Sequence, residues 1–139
     1  MSDEQRFEVH PIGFIRSPLR DRKNAPRQGK EGAPDAWLEV DPAFAEALDQ
    51  IQAGQEILLI TWFHQARRDV LKVHPRWCKE NDLAGVFATR SPDRPNPLGL
   101  HRVMVHSIEG TRLRVGPLEA IDGTPVVDIK PVLPDAANG

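Results

Sequence analysis

A mainly β fold, a small antiparallel or mixed β-barrel with one short helix, is what this 139-residue sequence predicts. Three observations predict it. Roughly seven short runs are rich in β-branched and apolar residues, the composition that fits a pleated, half-buried surface. Only one stretch combines a helix start signal with helical spacing of apolar residues. Late in the chain, turn signals at Glu109-Gly110 and Asp122-Gly123 separate strands too closely for parallel crossovers, so pairing is antiparallel in a sheet or small barrel.

The first expected strand covers residues 7–15, with Pro11 placing it at an edge or bulge. Residues 16–35 carry Pro18, Pro26, Pro34, Gly29 and Gly32 and read as a long loop, a length that usually signals function or disorder. Residues 37–40 form a short strand. Asp41-Pro42 then starts a helix, an Asp N-cap followed by Pro at the first helical position. Phe44, Ala47, Leu48 and Ile51 continue it at helical spacing, and Gly54 stops it. Residues 56–63 are a continuous apolar run, read as a buried strand. Residues 64–83 are polar and basic, with Pro75 and a weak helical stripe of Val70, Leu71 and Val73. Strands follow at 84–89, 100–108, 112–118 and 126–129. The tail, about 133–139, is expected to be disordered.

The length allows one domain, residues 1–139, and cramps a Rossmann fold. Cys78 is the only cysteine, so neither an internal disulfide nor a zinc ribbon is available. No apolar run approaches the ~20 residues of a membrane span. The charged start, Met1 to Arg6, precedes no signal-peptide core, so a cytoplasmic place without membrane attachment is expected. The five histidines have no metal-ligand spacing; His101 and His106, five apart on one strand, face opposite sides. No phosphate loop, dinucleotide fingerprint or nucleophile elbow is present.

The net charge of −2 hides segregation. Residues 16–30 carry Arg16, Arg20, Arg22, Lys23, Arg27 and Lys30 against Asp21 alone. Residues 67–79 carry Arg67, Arg68, Lys72, Arg76 and Lys79 against Asp69. Residues 31–56 contain acids and neither Lys nor Arg. Two basic segments of this kind suit an anionic partner such as a phosphate backbone, or a solvated loop surface.

The most informative stretch is Arg90-Ser-Pro-Asp-Arg-Pro-Asn-Pro-Leu-Gly-Leu-His-Arg102. Pro92, Pro95 and Pro97 fix their own φ angles and hold Ser91, Arg94 and Asn96 extended. A stiff frame therefore presents Arg90, Arg94 and Asn96, whose groups suit a carboxylate or phosphate. Gly99 permits a close approach at the start of the next strand. Asp128 and Lys130, two apart on a strand, share a face and suit an ion pair. Phe63 and His64 close the buried strand.

Five blocks together resemble the TsaA-like domain of the TrmO family of S-adenosylmethionine-dependent tRNA methyltransferases. They are Ile12-Gly-Phe-Ile-Arg-Ser-Pro18, Pro26-Arg-Gln28, Phe63-His-Gln65, Gly85-Val-Phe-Ala-Thr-Arg-Ser-Pro92 with Arg94-Pro-Asn-Pro-Leu-Gly99, and Asp122-Gly-Thr-Pro-Val-Val-Asp-Ile-Lys-Pro131. They occur in order and span nearly the whole chain. The resemblance implies a non-Rossmann barrel that binds S-adenosyl-L-methionine, works as a homodimer and N6-methylates threonylcarbamoyladenosine beside the tRNA anticodon. It implies cofactor contacts at Pro26, Arg27, Gln28, Phe63, His64, Arg90, Leu100, Leu118, Glu119 and Asp122.

These residue types fit the cofactor. Arg27 or Arg90 pairs a carboxylate, Glu119 or Asp122 accepts from ribose hydroxyls or the ammonium, and Phe63 offers a ring face to adenine or sulfonium. Arg94, Asn96, Asp128 and Lys130 are expected on the substrate side. His64, Asp128 and Lys130 are the candidate catalytic groups, and the sequence leaves the choice open. Three departures from the family pattern stand out: the 139 residues stop short of the further C-terminal domain of the full-length enzymes, so a weaker RNA affinity is expected; Val132 replaces a frequent aromatic; and His101 stands where a small residue is frequent. The alternatives are a non-catalytic S-adenosylmethionine-binding regulatory module and a methyltransferase acting on a small molecule.

Overall fold

A computed structural model describes residues 5–21, 32–75 and 83–133. Eight strands occur among them: β1 Gly13–Arg16, β2 Ala36–Val40, β3 Glu56–Trp62, β4 Lys72–Val73, β5 Ala84–Gly85, β6 Leu98–Glu109, β7 Arg112–Gly116 and β8 Pro125–Pro131. Six of them close into a barrel in the order β1-β2-β7-β6-β3-β8. Every pairing is antiparallel. β4 and β5 pair separately, outside the barrel. No helix among the described residues is long and apolar enough to cross a membrane.

Alternation along each strand builds the interior. Ile15, Leu38, Val40, Ile57, Leu59, Val103, Val105, Leu113, Val115 and Val126 point inward and are fully or almost fully buried. A closed barrel leaves no unpaired sheet edge, and its strands send alternate residues to one filled core. The uninterrupted apolar run of β3 arises because its outer face is apolar too. Leu58, Ile60 and Trp62 are half-buried there, beside exposed Leu98 and Leu100 of β6.

The registers sort the connections between the two ends. Phe14 pairs with Pro125, Ala36 with Val115 and Trp62 with Leu98. The connections 17–35, 63–97 and 117–124 therefore leave and enter at one end, called the mouth below. At the other end Glu109 pairs with Arg112 and Ile57 with Pro131. That end holds the β6–β7 turn, with Gly110 at φ 62°, and the link from β2 to β3.

Several sequence expectations are corrected. The first strand begins at Gly13 rather than residue 7, because Phe7 and Val9 are exposed and pair with nothing in the barrel. The expected helix is a 3-10 helix, Pro42–Leu48, broken at Phe44. Its cap is as expected: the Asp41 carboxylate accepts from the Ala43 N–H at 2.9 Å. None of its residues is fully buried; only Leu48, with Ile51 beyond it, packs partly against the core, too little apolar surface to hold a longer helix. The strand expected at 84–89 stops at Gly85 and continues as a 3-10 turn, Val86–Ala88, buried at Val86. The weak stripe at 70–73 is not helical, since Lys72 and Val73 pair with Gly85 and Ala84. β6 starts at Leu98, two residues earlier than expected, and β7 ends at Gly116, before a cis Gly116–Pro117 bond.

Candidate functional site

Backbone hydrogen bonds stitch the mouth: two join the 117–124 connection to 17–35, and one closes the base of 63–97. Leu118 N–H donates to the Pro34 carbonyl at 2.9 Å, Asp122 N–H to that of Leu19 at 2.7 Å, and Phe63 N–H to that of Pro97 at 2.8 Å. Leu118 is fully buried beneath the 117–124 connection, which folds over the barrel opening. Gly123 makes its turn at φ 82°, and Thr124, fully buried, donates its hydroxyl to the Ile121 carbonyl. The Asp122-Gly123 turn signal was read correctly.

Inside this end lies a polar chain that sequence reasoning did not assemble. Thr61 and His101 face inward from β3 and β6, both buried. Thr61 Oγ1 is 2.7 Å from His101 Nε2. His101 Nδ1 makes a short contact with Glu119 Oε1. A carboxylate oxygen accepts, so Nδ1 is the donor to Glu119, while Nε2 shares the second hydrogen bond with the Thr61 hydroxyl, which can donate or accept. The Phe63 ring sits edge-on to the imidazole, with centroids 5.8 Å apart. Gly99 makes this packing possible: a Cβ there would fall 2.4 Å from Phe63 Cζ and 2.5 Å from Thr61 Oγ1. The close approach expected at Gly99 is therefore real. The odd spacing of His101 and His106 could have flagged an inward histidine; its partners lie 40 and 18 residues away.

Other candidates are tied into the frame. Asp122 accepts from Ser17 N–H at 3.0 Å and from Arg20 Nη1 at 3.1 Å, so both carboxylate oxygens anchor the chain leaving β1. Arg94 Nη1 donates to the carbonyls of Thr89 and Ser91 at 3.0 and 3.1 Å, and its guanidinium lies 5.9 Å from the Phe87 ring centre. Asn96 Oδ1 accepts from Arg68, whose guanidinium also donates to the Pro95 carbonyl and lies over Trp62. The stiff proline loop thus holds Arg94 and Asn96 for its own closure.

Arg90 and His64 differ. Both are exposed, and neither makes a hydrogen bond or ion pair among the described residues. Leu100 points to the outer wall, 47% exposed. It shares a row with Ile60 and Asp128, since Ile60 pairs with both. Two strand spacings put Leu100 and Asp128 about 10 Å apart. Asp128 and Lys130 are 3.6 Å apart, the simple ion pair their spacing allowed. The candidates therefore form two groups. Phe63, His64, Arg90, Arg94, Asn96, Leu118, Glu119 and Asp122 belong to the mouth; Leu100, Asp128 and Lys130 belong to the outer wall. Pro26, Arg27, Gln28 and Cys78 lie outside the described residues.

Three of the five described cations in the basic segments are paired with carboxylates. Arg16 pairs with Glu39 and Arg20 with Asp122. Arg67 grips Asp69 through two nitrogens, and this hydrogen bonding holds the Asp69 carboxyl below its ordinary range. No cluster of metal ligands occurs among the described residues.

Comparison with known proteins assigns the architecture to a family. Residues 14–138 match the tRNA-methyltransferase O N-terminal domain. A Methanothermobacter thermautotrophicus protein named as a probable S-adenosyl-L-methionine-binding protein is 40% identical over 136 residues, covering 97% of this chain and 96% of its own. An S-adenosyl-L-methionine-binding protein of Archaeoglobus fulgidus is 40% identical over 127 residues, covering 91% and 90%. The crystal structure of TrmO from Pseudomonas aeruginosa superposes with a TM-score of 0.77 at 35% identity, over 99% of this chain and 59% of that one. The chain therefore belongs to the TrmO family, over the part of it that the N-terminal domain represents.

Proposed function

We propose that this TrmO-family barrel binds S-adenosyl-L-methionine at its mouth and transfers the methyl group to N6 of threonylcarbamoyladenosine in tRNA. One observation supports the reading: the Phe63 ring and the Glu119 carboxylate meet on His101 at the mouth, the end on which the connection bearing Arg90 also opens. The groups are the Arg90 guanidinium, the half-buried Phe63 ring and the Glu119 carboxylate, of which only one oxygen is engaged. These residues fit the cofactor's carboxylate, its adenine or sulfonium, and its ammonium or ribose hydroxyls.

When bound, S-adenosylmethionine supplies a methyl group already activated on a sulfonium. The chain's own work is then to orient and to accept a proton. Arg90 fixes the carboxylate end, Glu119 the donor groups, and Phe63 the flat or cationic part. The acceptor is a urea-like nitrogen and must lose its proton. Of the three candidates, His64 is assigned as base, because it stands exposed at the mouth beside Phe63 and keeps its ring free among the described residues. Asp128 and Lys130 neutralise each other on the outer wall. Exposed Leu98 and Leu100 beside Ile60 and Trp62 form the apolar row that a second copy covers in a homodimer.

The test is transfer of a labelled methyl group to total tRNA from a strain lacking its own enzyme of this type, with calorimetry for the cofactor alongside. Label mapped to threonylcarbamoyladenosine supports the reading. Binding that falls steeply with salt supports an RNA substrate, because phosphate contacts release counterions. Cofactor binding without transfer favours the second reading, a non-catalytic binding module. The mutual pairing of Asp128 and Lys130 and the internal use of Arg94 and Asn96 are the observations on its side. Transfer to a small acceptor instead of tRNA would replace the substrate and keep the reaction.

A further inference from the structure

We propose that His101 is a positioning residue for the cofactor site: it holds the Glu119 carboxylate at the barrel mouth by one oxygen and leaves the other to receive a donor of the cofactor. The inference rests on the proposed cofactor site and adds a residue to it. His101 cannot touch a ligand itself, because its side chain is 1% exposed. The Glu119 side chain is 17% exposed. Oε1 is engaged with His101, and no further hydrogen bond of Glu119 is formed among the described residues. No buried side-chain oxygen lacks a partner there, so Oε2 lies on the solvent side. A carboxylate held in this way has lost its rotamer freedom before a ligand arrives, and the cost of ordering it does not fall on binding.

The imidazole is itself locked. Thr61 is fully buried on β3 and bonds Nε2, the Phe63 ring packs edge-on, and both strands belong to the barrel wall. Orientation thus passes from the rigid wall, through Thr61 and His101, to a residue on the 117–124 connection. The arrangement resembles a hydroxyl–imidazole–carboxylate relay in its order of groups. The hydroxyl end, however, is sealed inside the barrel, so the relay ends at the carboxylate and orients it.

Two substitutions separate the links. The Asn amide nitrogen lies where imidazole Nδ1 lies, so His101→Asn keeps a donor for Glu119 and drops the Thr61 bond. The Gln amide nitrogen lies near Nε2, so His101→Gln keeps a bond to Thr61, donating to its Oγ1, and drops Glu119. Calorimetry with S-adenosylmethionine on the full chain, each variant shown folded by its thermal transition, is the measurement. The expected result is a loss of about tenfold or more for His101→Gln and near-native affinity for His101→Asn, since a hydrogen bond to a charged group carries that scale. Equal losses in both variants, or none in either, overturn the positioning role while the unaltered chain still binds. No binding by the unaltered chain overturns the cofactor reading and this inference with it.

If neither variant folds, the unaltered protein decides by nitrogen-15 NMR of the ring. Cofactor addition that shifts the His101 Nδ1–H resonance supports the link to the site. A resonance that stays in place while the cofactor binds refutes it.

Discussion

At one end of the barrel β6 turns into β7 through residues 110–111, and β2 reaches β3 through a capped 3-10 helix that rests Leu48 and Ile51 on the core. At the other end the connections 17–35, 63–97 and 117–124 leave and enter the barrel, and their described parts carry Phe63, His64, Arg90, Arg94, Asn96, Leu118, Glu119 and Asp122. The closed end is held by a cap, two left-handed glycines and apolar packing. The mouth is held by guanidiniums and carboxylates turned back on the chain: Arg68 on Asn96, Arg94 on Thr89 and Ser91, Asp122 on Ser17 and Arg20. The difference teaches how to find the functional groups. At a mouth rich in charge, most of the described candidate groups are structural, and the described candidates that remain unengaged, Arg90, His64 and one oxygen of Glu119, are the ones to test.

Substitutions that separate the ends should separate stability from binding. Leu113→Ala opens the fully buried core near the closed end and should cost about 2–5 kcal/mol of stability, with cofactor affinity unchanged in the folded fraction. Denaturant melts with calorimetry below the transition check this. Arg90→Ala should do the reverse. Affinity for S-adenosylmethionine falls by about 1.5–3 kcal/mol while stability moves little, and unchanged affinity removes Arg90 from the site.

Gly99→Ala should strike both properties at once, because the new methyl group meets Phe63 and Thr61. An overpacking cost of about 1–3 kcal/mol in stability is expected, with weakened binding. A variant that is destabilised but binds normally would detach Phe63 from the site. Asp41→Ala removes the cap at the closed end and should cost about 1 kcal/mol in thermal melts, without a change in affinity.

The smallest effect is in pH. Arg102 binds Glu56 through two hydrogen bonds and holds the Glu56 carboxyl below its ordinary value of 4.5. A carboxyl depressed in the folded state stabilises above its unfolded value, and this contribution disappears as pH falls through the folded one. Arg102→Ala should therefore lower the melting temperature slightly at neutral pH, and the gap to the unaltered chain should close in acid. A gap independent of pH would show that Arg102 acts through packing instead. The pair is solvent-exposed, so the whole effect is small.

Much was legible locally. The Asp41-Pro42 cap, the Glu109-Gly110 hairpin, the Asp122-Gly123 turn and the apolar run of β3 each depend on neighbouring residues, so a one-dimensional reading reaches them. The five motif blocks pointed to the family that the comparisons identify. The misreadings came where long-range packing overrides local preference. Phe7 and Val9 have strand composition but stay exposed outside the barrel, and residues 84–89 bend into a 3-10 turn to bury Val86.

By itself, then, the sequence determined a mainly β domain of the TrmO family and which residue types were available for binding, because turn chemistry, alternation and motif order are written along the chain. The tertiary structure decided which of those groups are free. Whether Arg94 faces a ligand or its own loop, whether Asp122 anchors β1, and what His101 is for all depend on atoms brought together from distant positions by barrel closure. The Thr61–His101–Glu119 chain joins three separate segments, and only the register of β3 against β6 and the fold of 117–124 over the mouth bring them into one line.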